Sequence, residues 1–146
     1  MAPRYLDERT YAAGDVIFAE GDQSTEMFIV QEGKVQVTKK VAGGDLFLAT
    51  LERGDFFGEM GLLDSQPRHA TCSALVPTRL LALRSGDLLI KLRRDPTFAL
   101  EMLQSMSRRI RHLNEQVARL TDDQQISRQQ LDQLLAHAEY PHTPAR

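Results

Sequence analysis

The sequence predicts an α+β chain in two parts: a β-sandwich or roll over residues 1–94, then a helical segment over 95–146. Three observations carry that reading. All nine glycines lie between Gly14 and Gly86 of the 146 residues, and the last 60 residues hold none. The glycine-bearing part alternates short strand-like runs with turn signals about every ten residues, as an all-β sandwich or roll does. Beyond Pro96 the apolar residues recur at steps of four and three, which is helical spacing.

Composition narrows the class further. With 42% hydrophobic and 26% charged residues, the chain has the usual mix of one soluble domain. Basic and acidic residues nearly cancel, at 12 and 13 over residues 1–94 and 6 and 7 over 95–146. That balance offers no basic face or tail for nucleic acid. One cysteine, Cys72, excludes an internal disulfide and a multi-cysteine metal site. No apolar run approaches the ~18 residues of a membrane span, and the N-terminus has no signal-peptide core. A soluble, cytoplasmic protein with no membrane contact is expected.

The elements follow in order. Gly14-Asp15, Gly21-Asp22, Gly44-Asp45, Gly54-Asp55 and Gly86-Asp87 are turn signals, because glycine supplies positive φ and aspartate bonds the nearby backbone. Their spacing is irregular, so they are not a repeat. Between them, strands are expected at 16–19, 27–31, 35–39, 46–51, 71–76 and 79–83. Val35, Val37 and Lys39 alternate with Gln36 and Thr38, the period of a half-buried strand. Ser85 is expected to cap a short helix over 87–93. Asp95-Pro96 then reads as a capping residue followed by proline in the first helical position.

From that point Ala99, Leu103, Met106, Ile110, Leu113, Val117 and Leu120 step by 4, 3, 4, 3, 4 and 3, a heptad seam. With Leu103 at position a, Ile110 and Val117 are β-branched a residues and Leu113 and Leu120 are d residues. That combination favours a parallel two-stranded coiled coil. The helix either packs on its own roll or self-associates through this narrow seam. Gln124 and Ser127 interrupt the seam. They form a polar layer in one long helix, or Thr121 caps a second helix with Gln124 three residues on.

The chemistry concentrates in residues 54–74. Gly58-Glu59-Met60-Gly61 places one carboxylate in a glycine-flanked turn, and Pro67-Arg68-His69-Ala70-Thr71 follows a short apolar stretch. Free N–H groups in such a turn or at a short helix start attract phosphate, and arginine offers a permanent planar fork for its oxygens. A carboxylate suits a ribose hydroxyl instead. Glu59 and Arg68 together fit a ligand with both groups. Against this stands a plain surface salt bridge between them, worth ~0–1 kcal/mol.

The segment resembles the phosphate-binding cassette of cyclic nucleotide-binding domains, the ligand module of catabolite-activator-type regulators, cyclic-nucleotide-dependent kinases and cyclic-nucleotide-gated channels. Three further blocks are similar to the family's strand-and-turn signature: Tyr11-Ala-Ala-Gly-Asp-Val-Ile-Phe-Ala-Glu-Gly-Asp22, Met27-Phe-Ile-Val-Gln-Glu-Gly-Lys-Val35 and Leu48-Ala-Thr-Leu-Glu-Arg-Gly-Asp-Phe-Phe-Gly-Glu59. Leu80-Leu-Ala-Leu-Arg-Ser-Gly-Asp-Leu-Leu89 resembles the passage into the closing helix.

The resemblance implies an eight-stranded jelly-roll with short flanking helices and a long C-terminal lid helix. It implies that Glu59 accepts the ribose 2′-hydroxyl beside the Gly58 and Met60 backbone, and that Arg68 pairs with the cyclic phosphate. His69 and Ala70 stand where backbone N–H groups help hold that phosphate. Leu48 and Ala49 lie on a strand facing the purine, and Asn114 falls near where family lids reach the base. Two departures matter. The residue after the arginine is commonly small, or a threonine or serine, and here it is His69, which leaves the choice between cyclic AMP and cyclic GMP open. Only 26 residues follow Leu120, too few for a winged helix-turn-helix, so direct DNA binding is not expected.

Other classes are weaker. No nucleophile-elbow, Walker or zinc-protease motif is present. His69 and Cys72 are three apart, but a lone cysteine in a strand is more often a small buried hydrophobe than a redox or metal group. The four histidines show no ligand spacing. The expectation is a non-enzymatic sensor of a cyclic nucleotide, cyclic AMP ahead of cyclic GMP, with no cofactor. It is expected to form a homodimer through the C-terminal helix and to signal to a protein effector. The alternatives are a ligand-free dimerisation module of the same fold and the effector-binding fragment of a longer regulator.

Overall fold

The computed structural model describes residues 7–122, 127–130 and 132–133. Eight strands form two antiparallel four-stranded sheets. They are β1 (Asp7–Tyr11), β2 (Val16–Phe18), β3 (Met27–Glu32), β4 (Val35–Val41), β5 (Gly44–Leu51), β6 (Phe56–Phe57), β7 (Thr71–Ala74) and β8 (Thr78–Leu83). One sheet runs β1-β8-β3-β6 and the other β2-β7-β4-β5. The helices are α1 (Glu59–Asp64), α2 (Ser85–Arg94) and α3 (Pro96–Asp122). This is the expected jelly-roll followed by a long helix.

Six strands match the runs legible in the sequence, and β1 and β6 are additional to them. β1 is a polar, largely exposed edge strand, Asp-Glu-Arg-Thr-Tyr, paired among the described residues only with β8, and β6 is two residues long. The six-residue α1 forms where the sequence shows only a turn and an apolar stretch. Ser85 lies inside α2. Arg84 holds the capping position, where its backbone N–H donates to Asp87 Oδ2 at 3.1 Å. Asp95 caps α3 as expected, its Oδ1 accepting from Phe98 N at 3.1 Å. Thr121 sits within α3, its Oγ1 donating to Val117 O at 3.0 Å. Ser127 and Gln130 form a reciprocal cap, with Ser127 N donating to Gln130 Oε1 and Gln130 N to Ser127 Oγ. Gln124 lies outside the described residues.

Three of the Gly-Asp pairs build one kind of turn. Asp15, Asp22 and Asp55 each donate a backbone N–H to the carbonyl three residues back, at 3.1, 3.1 and 2.9 Å. Each carboxylate then accepts from the N–H of that same residue, at 2.8 to 2.9 Å. The glycines before them hold φ near +90°, the third position of a type II turn, where an L side chain is strained.

The core lies between the sheets. Phe18, Phe28 and Phe57 form an aromatic cluster, Phe28 and Phe57 stacked at 5.2 Å, packed with Val30, Val35, Leu51, Cys72, Leu80 and Ala82. Cys72 is thus a buried core residue, 2% exposed. The chain divides into two compact units, Met1–Met102 and Leu103–Arg146. The first unit takes in the roll, α2 and the first turns of α3. In the second unit, Leu103, Ile110 and Leu113 of the heptad seam are 65%, 60% and 59% exposed.

Candidate functional site

The site is assembled by the Gly-Asp turns. The turn at Gly54-Asp55 delivers β6, and Gly58 follows with φ 79°, which starts α1 and places Glu59 in its first turn. α1 ends at Ser65, also left-handed with φ 54°, and the chain returns to Arg68. There the turn at Gly21-Asp22 grips it from both sides. Arg68 N donates to Asp22 O at 2.9 Å, and Gly21 N donates to Arg68 O at 2.7 Å.

The Arg68 side chain is buried, 4% exposed. Its Nη1 donates to Gly58 O at 2.7 Å, and its Nη2 to Ser24 Oγ at 2.9 Å and to Glu26 O. The guanidinium carbon sits 4.1 Å from the centre of the Phe18 ring, in cation–π range. Every one of these partners is neutral. Its Nε is buried without an acceptor. Burial accordingly pulls the Arg68 pKa below the ordinary arginine value, opposed by the fields of Cys72, Glu26, Asp22 and Glu59. A buried donor left unpaired costs about 1–3 kcal/mol. An anionic oxygen ligand at Nε would supply both the missing bond and the missing charge.

Glu59 is also buried, 8% exposed. With both residues buried, the exposed Glu59–Arg68 salt bridge considered from sequence does not occur. The two glycines that flank Glu59 and Met60 have a steric reason. A Cβ at Gly58 would lie 2.8 Å from Arg68 Nη1, and one at Gly61 would lie 2.7 Å from Ser24 O and 2.9 Å from Arg68 Nη1. α1 therefore presses its glycine side against the arginine.

The remaining expected residues are spread more widely. Ala70 is buried just before β7, two residues beyond the arginine, whereas the His69 side chain is exposed and its carbonyl accepts from Lys39 Nζ at 2.6 Å. Lys39 also pairs with Glu20 at 2.9 Å, whose other oxygen accepts from Lys40 N. On β5, Leu48 is 39% exposed and Ala49 is half-buried opposite Val37. Asn114 is exposed on α3, in the second compact unit. Sequence reasoning missed Ser24, Glu26 and Phe18, which hold Arg68 from two other parts of the chain. The one local signal for the first two was the Gly21-Asp22 turn before them.

A family model described as the cyclic nucleotide-binding domain matches residues 8–95. The chain belongs to the cyclic nucleotide-binding domain family. The match starts in β1 and ends at the cap of α3, so it contains the whole roll and the Gly58–Arg68 arrangement. A curated relative, the cyclic AMP receptor protein of Thermus thermophilus, is 38% identical over 112 residues, covering 76% of this chain and 52% of the relative. The solved Thermus thermophilus catabolite activator protein superposes with a TM-score of 0.70 at 36% identity, over 80% of this chain and 55% of that one. A solved chain from a cyclic-GMP-dependent signalling pathway that regulates bacterial phytopathogenesis gives 0.62 at 36% identity, over 74% and 87%. The chain spans about half the length of the Thermus relatives it matches. Among the described residues of this cyclic nucleotide-binding domain, no helix is long and apolar enough to cross a membrane. No group of three metal-ligating side chains is found there either.

Proposed function

We propose that this chain is the effector-binding module of a cyclic nucleotide sensor. The observation that carries the proposal is the Arg68 guanidinium, buried, hydrogen-bonded to neutral oxygens and left with an unpartnered Nε. The cyclic phosphate brings one negative charge and two exocyclic oxygens to that nitrogen, with the Ala70 and His69 amides beside it. Glu59, in the first turn of α1, takes the ribose 2′-hydroxyl, flanked by the Gly58 and Met60 backbone. Leu48 and Ala49 meet the purine, and Asn114 is assigned to the base by the family resemblance alone.

Cyclic AMP is the favoured ligand, supported by the name of the Thermus receptor. Cyclic GMP is the competitor, supported by the pathway of the phytopathogenesis structure and by the exposed His69, whose imidazole can meet a guanine edge. The reading is of a binding protein and not an enzyme. The exposed seam on α3 supports self-association of two copies, and closure of that helix on the base is the output passed to a protein effector. A nucleotide shifts such an equilibrium only by binding the closed state more tightly.

Titration calorimetry with cyclic AMP and with cyclic GMP tests the reading. Micromolar binding of one or both is expected, and the absence of heat with either nucleotide would leave a ligand-free module of the same fold.

A further inference from the structure

Beside the cassette lies a cavity of about 350 Å³, bordered by the loop after Gly21-Asp22, the chain beyond α1 and the residue that caps α2. Its walls include Ser24, Thr25, Glu26, Ser65, Gln66 and Arg84, and Arg68 contributes nothing to them. Small-molecule pockets are usually mostly apolar. This one is lined by polar residues throughout, which suits a hydrophilic ligand.

The charges and protons select the ligand further. The single carboxylate on the wall, Glu26, is already engaged by Arg9 at 2.5 and 3.3 Å. Arg84 is exposed and commits its backbone N–H to α2, and no carboxylate among the described residues pairs with its guanidinium. Ser24 Oγ accepts from Arg68 Nη2 at 2.9 Å, so its own proton is turned away from Arg68 and is free to donate. Ser65 keeps φ 54°, a conformation costing a non-glycine residue on the order of 1 kcal/mol, of the sort that collects at ligand sites. The free capacity of the wall is therefore cationic and donor-rich.

The geometry points to a second oxyanion site in this cavity, taking the carboxylate or phosphate group of a small hydrophilic molecule on Arg84 and on the hydroxyls of Ser24 and Ser65. The site shares Ser24 with the cradle of Arg68 but not Arg68 itself, and it does not depend on the cyclic nucleotide reading.

Amide NMR titration of the full chain with inorganic phosphate, and separately with malonate, at fixed ionic strength tests it. Saturating shifts are expected at the Ser24, Ser65 and Gln66 amides, with a millimolar Kd for at least one probe, about −4 kcal/mol. Phosphate alone identifies a phosphoryl ligand, malonate alone a carboxylate. Arg84→Ala keeps the backbone cap of α2 and should weaken binding about tenfold or more, the loss of a bidentate charge-assisted contact. The His69 and Ala70 amides, next to Arg68 in the cassette, should shift little. The site is refuted if neither probe saturates, if Arg84→Ala binds as the wild type does, or if the saturating shifts centre on the His69 and Ala70 amides, which would place the anion on the cassette. Calorimetry with cyclic nucleotides reports on Arg68 separately, so the two readings fail independently.

Discussion

Arg68 donates through Nη2 to the backbone carbonyl of Glu26, so the arginine of the cassette is held by main chain from a loop more than forty residues earlier in the sequence. A second main-chain oxygen, Gly58 O, takes Nη1. Carbonyls cannot be removed by substitution at their own positions, and they leave the positive charge uncompensated. The arrangement fixes where the guanidinium sits without neutralising it.

Replacing that charge is the most direct prediction. Arg68→Leu should weaken cyclic nucleotide binding about a hundredfold or more, since hydrogen bonds to charged groups contribute about 1.5–3 kcal/mol each. Arg68→Lys should recover only part of the loss, because an ammonium cannot offer the planar fork. Calorimetry on both variants reads the difference, and an unchanged Kd in Arg68→Leu would remove Arg68 from the site.

Two glycines in helices should respond in opposite ways. A Cβ at Gly61 would collide with Ser24 O and Arg68 Nη1 at 2.7 and 2.9 Å, so Gly61→Ala should displace the arginine and weaken nucleotide binding about tenfold or more. At Gly86, in the first turn of α2, a Cβ meets nothing within 4 Å and φ is not positive. Gly86→Ala should raise stability by a few tenths to about 1 kcal/mol with binding unchanged. Thermal melts paired with calorimetry check both.

Acid sensitivity should have an identifiable part at Glu20. Its pKa is lowered, first by the hydrogen bond from Lys40 N, then by Lys39 Nζ. A folded-state pKa below the unfolded value gives stability that is complete above the ordinary glutamate value of about 4.5 and fades as pH falls through the folded pKa. Melting temperatures of wild type and Glu20→Gln should therefore differ at neutral pH and converge below that value. A gap independent of pH would show that the carboxylate charge is not the cause.

The α3 seam should carry self-association. Ile110 is 60% exposed at an a position, and Ile110→Asp places a charge at the centre of the expected interface. Sedimentation should show wild-type dimers and a monomeric variant. A wild-type monomer at high micromolar concentration would end the dimer proposal.

How much of this is legible in the sequence depends on what each residue needs from its neighbours. The three type II turns are visible because a glycine and the next aspartate carry the whole device locally. The α3 cap at Asp95 is visible for the same reason. β1 and β6 are not, since a polar pentapeptide and two phenylalanines become strands only when β8 and β3 supply their partners. In the site, Glu59, Arg68 and the glycines around them lie within eleven residues and form a readable pattern. Ser24, Glu26 and Phe18 do not. Their connection to Arg68 is a fact of folding, formed across more than forty positions, and no local spacing encodes it. Residue preference points to Ser85 as the α2 cap, whereas the Asp87 carboxylate accepting from Arg84 N makes the preceding residue the boundary.

The pairing of β1 with β8 also governs how the molecule can be made. Asp7 lies opposite Ala82 and Tyr11 opposite Thr78, so the first strand finds its partner only in the last. On the ribosome, β1 must leave the exit tunnel and wait, unpaired, until roughly seventy further residues have been synthesised. Contacts of that separation make folding slow and expose unpaired strand edges meanwhile. The sequence of β1, Asp-Glu-Arg-Thr-Tyr, suits the delay: it is charged enough to stay in water until its partner arrives.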